Sequence, residues 1–471
     1  MTRRLAPDLC VIGAGSGGLA VAAGAAQMGA EVVLIERALM GGDCLNFGCI
    51  PSKSLLAAAR FANLAGRGAA VGIAAASPDV DFGAVIANVH EVIAAIAPHD
   101  SVERFEGLGV KVLRAAAHFT SHRTVQAGEI EIRPRRFVIA TGSRPAVPPI
   151  PGLDGAPYLT NESVFANREL PKHLVVIGGG PIGIEMAQAH RRLGAQVTVL
   201  DIGPLLPRDD PELVTCLAEQ LQREGIETRP HIQIAGIERS GKAILVCLVG
   251  GERIEASHLL VAAGRRPTIE ALDLPAAGIE ATPTGITVDA RLRTTNRRAF
   301  AIGDVAGGPQ FTHIALYHAG IVIRNALFRL PAKVDYRALP WVTYTDPELA
   351  QVGLTEPAAR AAGVMTRVLR WPFVENDRAQ TERETTGLVK AVLDSNGLIL
   401  GASILGAGAG DLILPWALAI SRKLKIGALA NLIVPYPTRG EASKRAAACY
   451  YTPQLFSTRT RHLVRFLARF G

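Results

Sequence analysis

Leu9-Cys-Val-Ile-Gly13-Ala-Gly15-Ser-Gly-Gly18 is the stretch that decides the fold. Four apolar residues read as a buried strand, Gly13-x-Gly15-x-x-Gly18 as a turn, and the small residues up to Gly29 as a helix. Glu31-Val-Val-Leu-Ile35 is a second strand that ends on an acid, Glu36. In such a unit the first glycine permits the tight turn, the second lets a pyrophosphate approach the backbone, and the third lets helix and strand pack closely. The phosphates would rest on the helix N-terminus, and Glu36 would accept hydrogen bonds from ribose hydroxyls. A bare G-x-G-x-x-G is weak; here the strand, helix and acid that it requires are all present. The pattern then recurs as Leu174-Val-Val-Ile177, Gly178-x-Gly180-x-x-Gly183, Gln196-Val-Thr-Val-Leu200 and Asp201. The offsets 178 − 13 and 201 − 36 both give 165. Two complete units at one offset predict an α/β chain with two Rossmann-like dinucleotide-binding domains. Asp201 favours NAD(H) over NADP(H), because a carboxylate there binds a 2′-hydroxyl and repels a 2′-phosphate.

Between the two fingerprints lies Gly41-Gly42-Asp43-Cys44-Leu-Asn-Phe-Gly-Cys49-Ile-Pro-Ser-Lys53, followed by an apolar helical run. Cysteines at a helix start feel the positive end of its dipole, which favours the thiolate and redox or nucleophilic use. The C-x4-C spacing alone leaves three readings open: a redox pair, half a metal site, or two buried apolar cysteines. A metal site wants a second Cys/His pair, and the sequence has none, so no metal ligands are expected. The other four cysteines are isolated, unlike a secreted disulfide framework.

The length of 471 residues suggests about three domains. The net charge of +8 comes from scattered basic residues without an aromatic-basic motif, so no nucleic-acid partner is expected. The N-terminus runs straight into a strand, and no apolar run is read as reaching the ~18 residues of a membrane helix, so a cytoplasmic location is expected. Ala140-Thr141-Gly142 closes the first nucleotide unit after a strand, and a proline-rich linker follows. Ala262-Ala-Gly264-Arg-Arg-Pro267 echoes it in the second unit. Ala299–Asp304 is a short strand ending in Gly303-Asp304, a carboxylate placed to suit a polyhydroxyl ligand or to cap a helix. His313 and His318, on the next helix, lack metal-ligand spacing and read as structural. From Trp341 the texture changes to strands at 364–371, 387–393 and 398–405, followed by helices at 411–423 and 426–432. This is an α+β segment of the kind that most often serves dimerisation. The expected division is therefore 1–149, 150–270, 271–340 and 341–471. Tyr436 stands on a loop between two prolines, and Glu441 opens the next helix. The tail from Arg459 is amphipathic and basic. Such a helix lies on a membrane surface or, more commonly, packs on its own dimer.

These motifs in this order resemble the FAD-dependent pyridine nucleotide–disulfide oxidoreductases, and the likeness spans nearly the whole chain. Gly42-Asp43-Cys44-Leu-Asn-Phe-Gly-Cys49-Ile-Pro-Ser-Lys53 is its most specific part. The resemblance implies a homodimer with one FAD per subunit, 1–149 and 271–340 being the two parts of the FAD domain and 150–270 the NAD(P) domain. It implies a Cys44–Cys49 redox disulfide in which Cys44 attacks the substrate and Cys49 forms a charge-transfer thiolate beside the flavin. It further implies that Lys53 lies by the flavin paired with Glu185, that Asp304 binds the ribityl chain, and that the Tyr436 loop faces the other subunit's disulfide. Thiol-reducing members carry His-Pro-Thr-x-x-Glu where this chain has Tyr436-Pro-Thr-x-x-Glu441. An imidazole titrates near 6.5 and a phenol near 10, so tyrosine is a poor base at neutral pH. Mercuric reductases share the tyrosine, but Cys449 here is followed by Tyr450 and Tyr451 rather than by a second cysteine. The expected activity is NAD(P)H-dependent and mercuric reductase-like, on a small-molecule, metal-ion or disulfide acceptor. The alternatives are a dihydrolipoamide dehydrogenase and a membrane-docked redox flavoprotein.

Overall fold

The computed structural model describes residues 3–74, 79–241 and 243–470. The helical reading of 54–100 therefore has a gap at 75–78, which lie outside the described residues. The chain forms two compact units. One comprises Met1–Gly178, Ala189–Ile202 and Ile232–Val334; the other Gly179–Gln188, Gly203–His231 and Asp335–Gly471.

The first unit is built on a five-stranded parallel sheet in the order Ala299–Ala301, Arg136–Ile139, Leu9–Ile12, Val32–Glu36, Val110–Arg114. Leu9–Ile12 is wholly buried, as its unbroken apolar run requires of a strand covered on both faces. The register sets Ile12 beside Ile139 and Ile139 beside Ala301. Gly13, Ala140 and Ile302 consequently emerge together at the carboxyl ends of three neighbouring strands, where open α/β sheets bind ligands. The Ser16–Gln27 and Thr312–Ala326 helices pack against one another on one face. Their contact is close: a Cβ on Gly17 would lie 3.1 Å from that of Ala315. The same unit holds a second parallel set, His173–Ile177 between Gln196–Leu200 and His258–Val261, with its own core around Leu153, Val175 and Val246.

The second unit contains a five-stranded antiparallel sheet, ordered Pro340–Thr343, Glu348–Gly353, Ile399–Gly406, Leu388–Asp394, Thr366–Pro372. The fully buried Trp416 and Phe373 anchor its core, and the indole N–H of Trp416 donates to Ser443 Oγ. The expected strands occur within two residues of their predicted positions. One expectation is corrected. Phe82–Gly107 is long and apolar enough, by length and composition, to cross a membrane. It consists of Phe82–Ile96, a 3-10 turn containing Pro98, and Val102–Gly107, and its first segment packs on the Cys49–Gly66 helix. Reading for unbroken apolar runs missed it because Asn88, His90 and Glu91 interrupt the stretch.

Candidate active site

The first fingerprint forms a cradle. Gly13 adopts φ +104°, and a Cβ there would collide with the Ala140 carbonyl; a Cβ on Gly18 would collide with the Gly13 carbonyl. Gly15 is different. Only the Gly42 Cα, 4.0 Å away, borders its Cβ position, so its flank is open. Gly15 is the N-cap of Ser16–Gln27, and no side chain caps that helix and no acid occupies its first turn. The exposed positive end fits a pyrophosphate. The Glu36 carboxylate accepts from the Ala14 and Ala38 amides, both at 2.7 Å, which fixes it at the mouth of this turn. Gly41 N–H donates to the Ala14 carbonyl, so the cysteine stretch is tied directly to the cradle.

Cys44 lies in the short Gly42–Asn46 helix and Cys49 begins the Cys49–Gly66 helix. Asn46 holds the turn between them by donating to the Met40 and Gly42 carbonyls. Both cysteines are free thiols here, the reduced form of the expected couple. Cys49 Sγ lies 3.3 Å from Thr312 Oγ1. Hydrogen bonding from the Cys44 thiol draws Cys49 down to about 6, aided by the Thr312 hydroxyl and the Lys53 charge and opposed by burial. The same thiol–thiolate bond, with burial, pushes Cys44 up. At neutral pH the pair therefore holds one thiolate, on Cys49, with the remaining proton on Cys44.

A charged cluster centred on Arg265, a residue that the sequence reading did not single out, includes Asp43, the neighbour of Cys44. Arg265 reaches Asp43 Oδ2 at 3.2 Å and Asp304 Oδ2 at 3.8 Å, and donates to Ser143 Oγ at 2.7 Å and to the Ser143 carbonyl. Ser143 in turn donates to Asp304. Burial raises the Asp304 carboxyl, against the pull of Ser143 and Arg265. Asn161 donates to Asp43 Oδ1 at 3.0 Å. A signal for Arg265 was present: the two echoing segments pair with each other, Ser143–Pro145 antiparallel to Arg265–Pro267. Thr141 Oγ1 donates to the Thr268 carbonyl, while Gly142 and Gly264 accept from Thr268 and Ala146 through their carbonyls. Gly303 follows strand Ala299–Ala301 and donates its N–H to His318 Nδ1 at 3.1 Å. Burial holds that imidazole down at about 4, so it is neutral and structural. His313 stacks on Phe311.

The second fingerprint repeats the geometry of the first in part. Gly178 adopts φ +120° against the Ala262 carbonyl and donates to the Leu200 carbonyl. Asp201 follows that strand and accepts from Ile232 N–H through its carbonyl. Gly180, Gly183 and Glu185 belong to the second compact unit. There Glu185 is buried and accepts from the Tyr344 amide at 2.9 Å. Tyr436, in the same unit, is 69% exposed, and its hydroxyl donates to Asp377 Oδ2 at 2.8 Å. That carboxylate raises the phenol above its ordinary value. Glu441 pairs with Arg445 one turn along its helix.

Comparison with known proteins matches residues 7–319 to the family described as pyridine nucleotide-disulphide oxidoreductase, and residues 339–447 to the dimerisation domain of that family. The chain is 36% identical over 454 residues to a mercuric reductase of Streptomyces lividans, covering 94% of this chain and 96% of that one. It is 35% identical over 456 residues to a dihydrolipoyl dehydrogenase of Bacillus subtilis, covering 93% and 95%. Among solved structures it is similar to the HOCl-induced flavoprotein disulfide reductase RclA of Escherichia coli in its Cu(II) complex. That likeness has a TM-score of 0.85 and 29% identity, over 93% of this chain and 99% of that one.

Proposed function

The chain belongs to the pyridine nucleotide-disulphide oxidoreductases, homodimeric flavoenzymes that use FAD and a pyridine nucleotide, and on that premise we propose that its acceptor is one reduced without a protein base at the sulfur pair. A thiophilic metal ion of the mercuric reductase type fits best, ahead of a quinone-like compound or an unusual disulfide. The observation that carries this reading is Tyr436. Its hydroxyl is spent as a donor to Asp377 and its acidity is weakened by that carboxylate. It therefore has no means of taking a proton from Cys44 at neutral pH. A dithiol gathers a soft ion without such a base, because thiolate affinity drives the deprotonation. The relatives named mercuric reductases and the Cu(II) complex of the E. coli reductase support the same class of acceptor.

Bound FAD supplies a two-electron relay between nicotinamide and sulfur. The chain's own residues prepare for it. Gly13, Gly15, Gly18 and Gly42 leave room for the pyrophosphate, Glu36 takes the ribose, and Ala140, Thr141, Gly142, Gly303 and Asp304 line the remainder. Thr312 and Lys53 would hold Cys49 as the thiolate that exchanges electrons with the flavin, and Cys44 would keep the proton and meet the acceptor. Lys53 and Glu185 are assigned to the flavin's side. Gly178, Gly180, Gly183, Gly264 and Asp201 are assigned to the nicotinamide cofactor, with NADH preferred over NADPH because of the Asp201 carboxylate. Tyr436 and Glu441 are assigned to the partner's disulfide. The four-segment division and a cytoplasmic location belong to the same reading, as does weak membrane contact through the tail.

The likeness to a dihydrolipoyl dehydrogenase favours dihydrolipoamide as the second reading. One panel separates the two. NADH oxidation is followed with Hg(II), Cu(II), a quinone, lipoamide and glutathione disulfide in turn. Turnover of lipoamide at rates matching or exceeding those with metal ions would reject the metal reading.

A further inference from the structure

The last formed helix, Thr458–Leu467, makes no use of its apolar face. Leu463, Val464, Phe466, Leu467 and Phe470 are each more than half exposed, as are Leu455 and Phe456 just before it. The helix is nonetheless well defined, because the Ser457 side chain caps it by accepting from Thr460 N–H, and the Phe466 and Phe470 rings meet edge to face. At 100° per residue Phe466, Phe470, Leu463 and Leu467 share one face, while Arg461, Arg465 and Arg469 form a stripe along the other. No acidic residue follows Glu441 in the sequence, and among the described residues no carboxylate pairs with Arg459, Arg461, Arg465 or Arg469. The match to the family's dimerisation domain ends at residue 447, and the E. coli reductase is matched over nearly its whole length while part of this chain is left over. The helix thus lies beyond the matched dimerisation domain.

From these observations we infer that residues 455–470 dock the enzyme on an anionic lipid surface. Ten helical residues span about 15 Å, half the hydrocarbon thickness, so the helix lies in the plane of the interface. Its aromatic and leucine face enters the acyl boundary and its arginines meet the phosphates. Charge decides against the same helix on a second copy as the occupant. A two-fold contact of apolar face on apolar face would cover the phenylalanines and leucines but leave the arginine stripes turned outward with no counter-charge. An acidic lipid surface supplies the missing counter-charge.

The test uses the full-length holoenzyme and co-sedimentation with phosphatidylcholine vesicles made with and without phosphatidylglycerol. Wild type should bind only the anionic vesicles and be released by salt. Both the triple variant Arg461→Glu/Arg465→Glu/Arg469→Glu and the double variant Phe466→Ser/Phe470→Ser should bind about tenfold more weakly or less. Both should keep NADH-driven bleaching of the flavin, and both should sediment as dimers. Failure of the wild type to bind anionic vesicles would overturn the inference, as would unchanged binding on deletion of 459–471. If the deletion instead turns the lipid-free dimer into monomer, the helix is a subunit contact and the inference is wrong.

Discussion

Replacing Thr312 by valine removes one hydroxyl from beside the Cys49 sulfur and leaves the shape of the side chain unchanged. The hydroxyl stands 3.3 Å from Sγ and is the second favourable influence on the thiolate, after the Cys44 thiol and before the Lys53 charge. A hydrogen bond to a charged group contributes about 1.5–3 kcal/mol. Sulfur is a weak acceptor, so the lower end applies, and about 1.4 kcal/mol corresponds to one pKa unit. Cys49, drawn down to about 6 in the parent, should therefore titrate roughly one unit higher in Thr312→Val. The sign follows from which form the bond favours: losing a donor to the thiolate destabilises the thiolate, so a higher pH is needed to form it. Two assays read the shift. The first is the pH dependence of the thiolate–flavin charge-transfer absorbance in the two-electron-reduced enzyme. The second is the pH dependence of the faster phase of iodoacetamide alkylation in flavin-free protein. A midpoint that stays within about 0.3 units of the parent's, or falls, would refute the role given to Thr312.

Tyr436→His should raise lipoamide turnover by about 10²-fold or more by supplying a base that titrates near neutrality, and steady-state rates check it. His318 titrates below its ordinary value, at about 4, because burial disfavours the cation. Its contribution to stability is thus intact above pH ~6.5 and lost as the pH falls from there towards 4, on the order of 3 kcal/mol in all. Urea midpoints at pH 7 and pH 4.5 should show this loss, and it should shrink in His318→Asn, whose side-chain oxygen can still accept from Gly303 N–H. Lys390 is buried with Asp210, Glu212 and Glu356 within 2.9 Å. Lys390→Met should cost about 3–5 kcal/mol by stranding the buried Asp210 carboxylate, visible as a lower denaturation midpoint.

Much of this protein could be read from spacing along the chain. A glycine three or five residues from another constrains a turn whatever surrounds it, so the two fingerprints, their acids and the C-x4-C stretch declared nucleotide folds and a sulfur pair unaided. The antiparallel segment after Trp341 was also legible, since alternating burial leaves its period in the sequence. What spacing could not supply was convergence between residues far apart. Arg265 meets Asp43 and Asp304 only because the two echoing segments pair as strands. Thr312 meets Cys49 across 263 positions only because its helix lies against the first fingerprint's helix. A lone arginine or threonine carries no local signal of its partner. Strand register and helix packing, which minimise buried unpaired charge and empty space over the whole unit, decided which distant polar side chains meet the cysteine stretch.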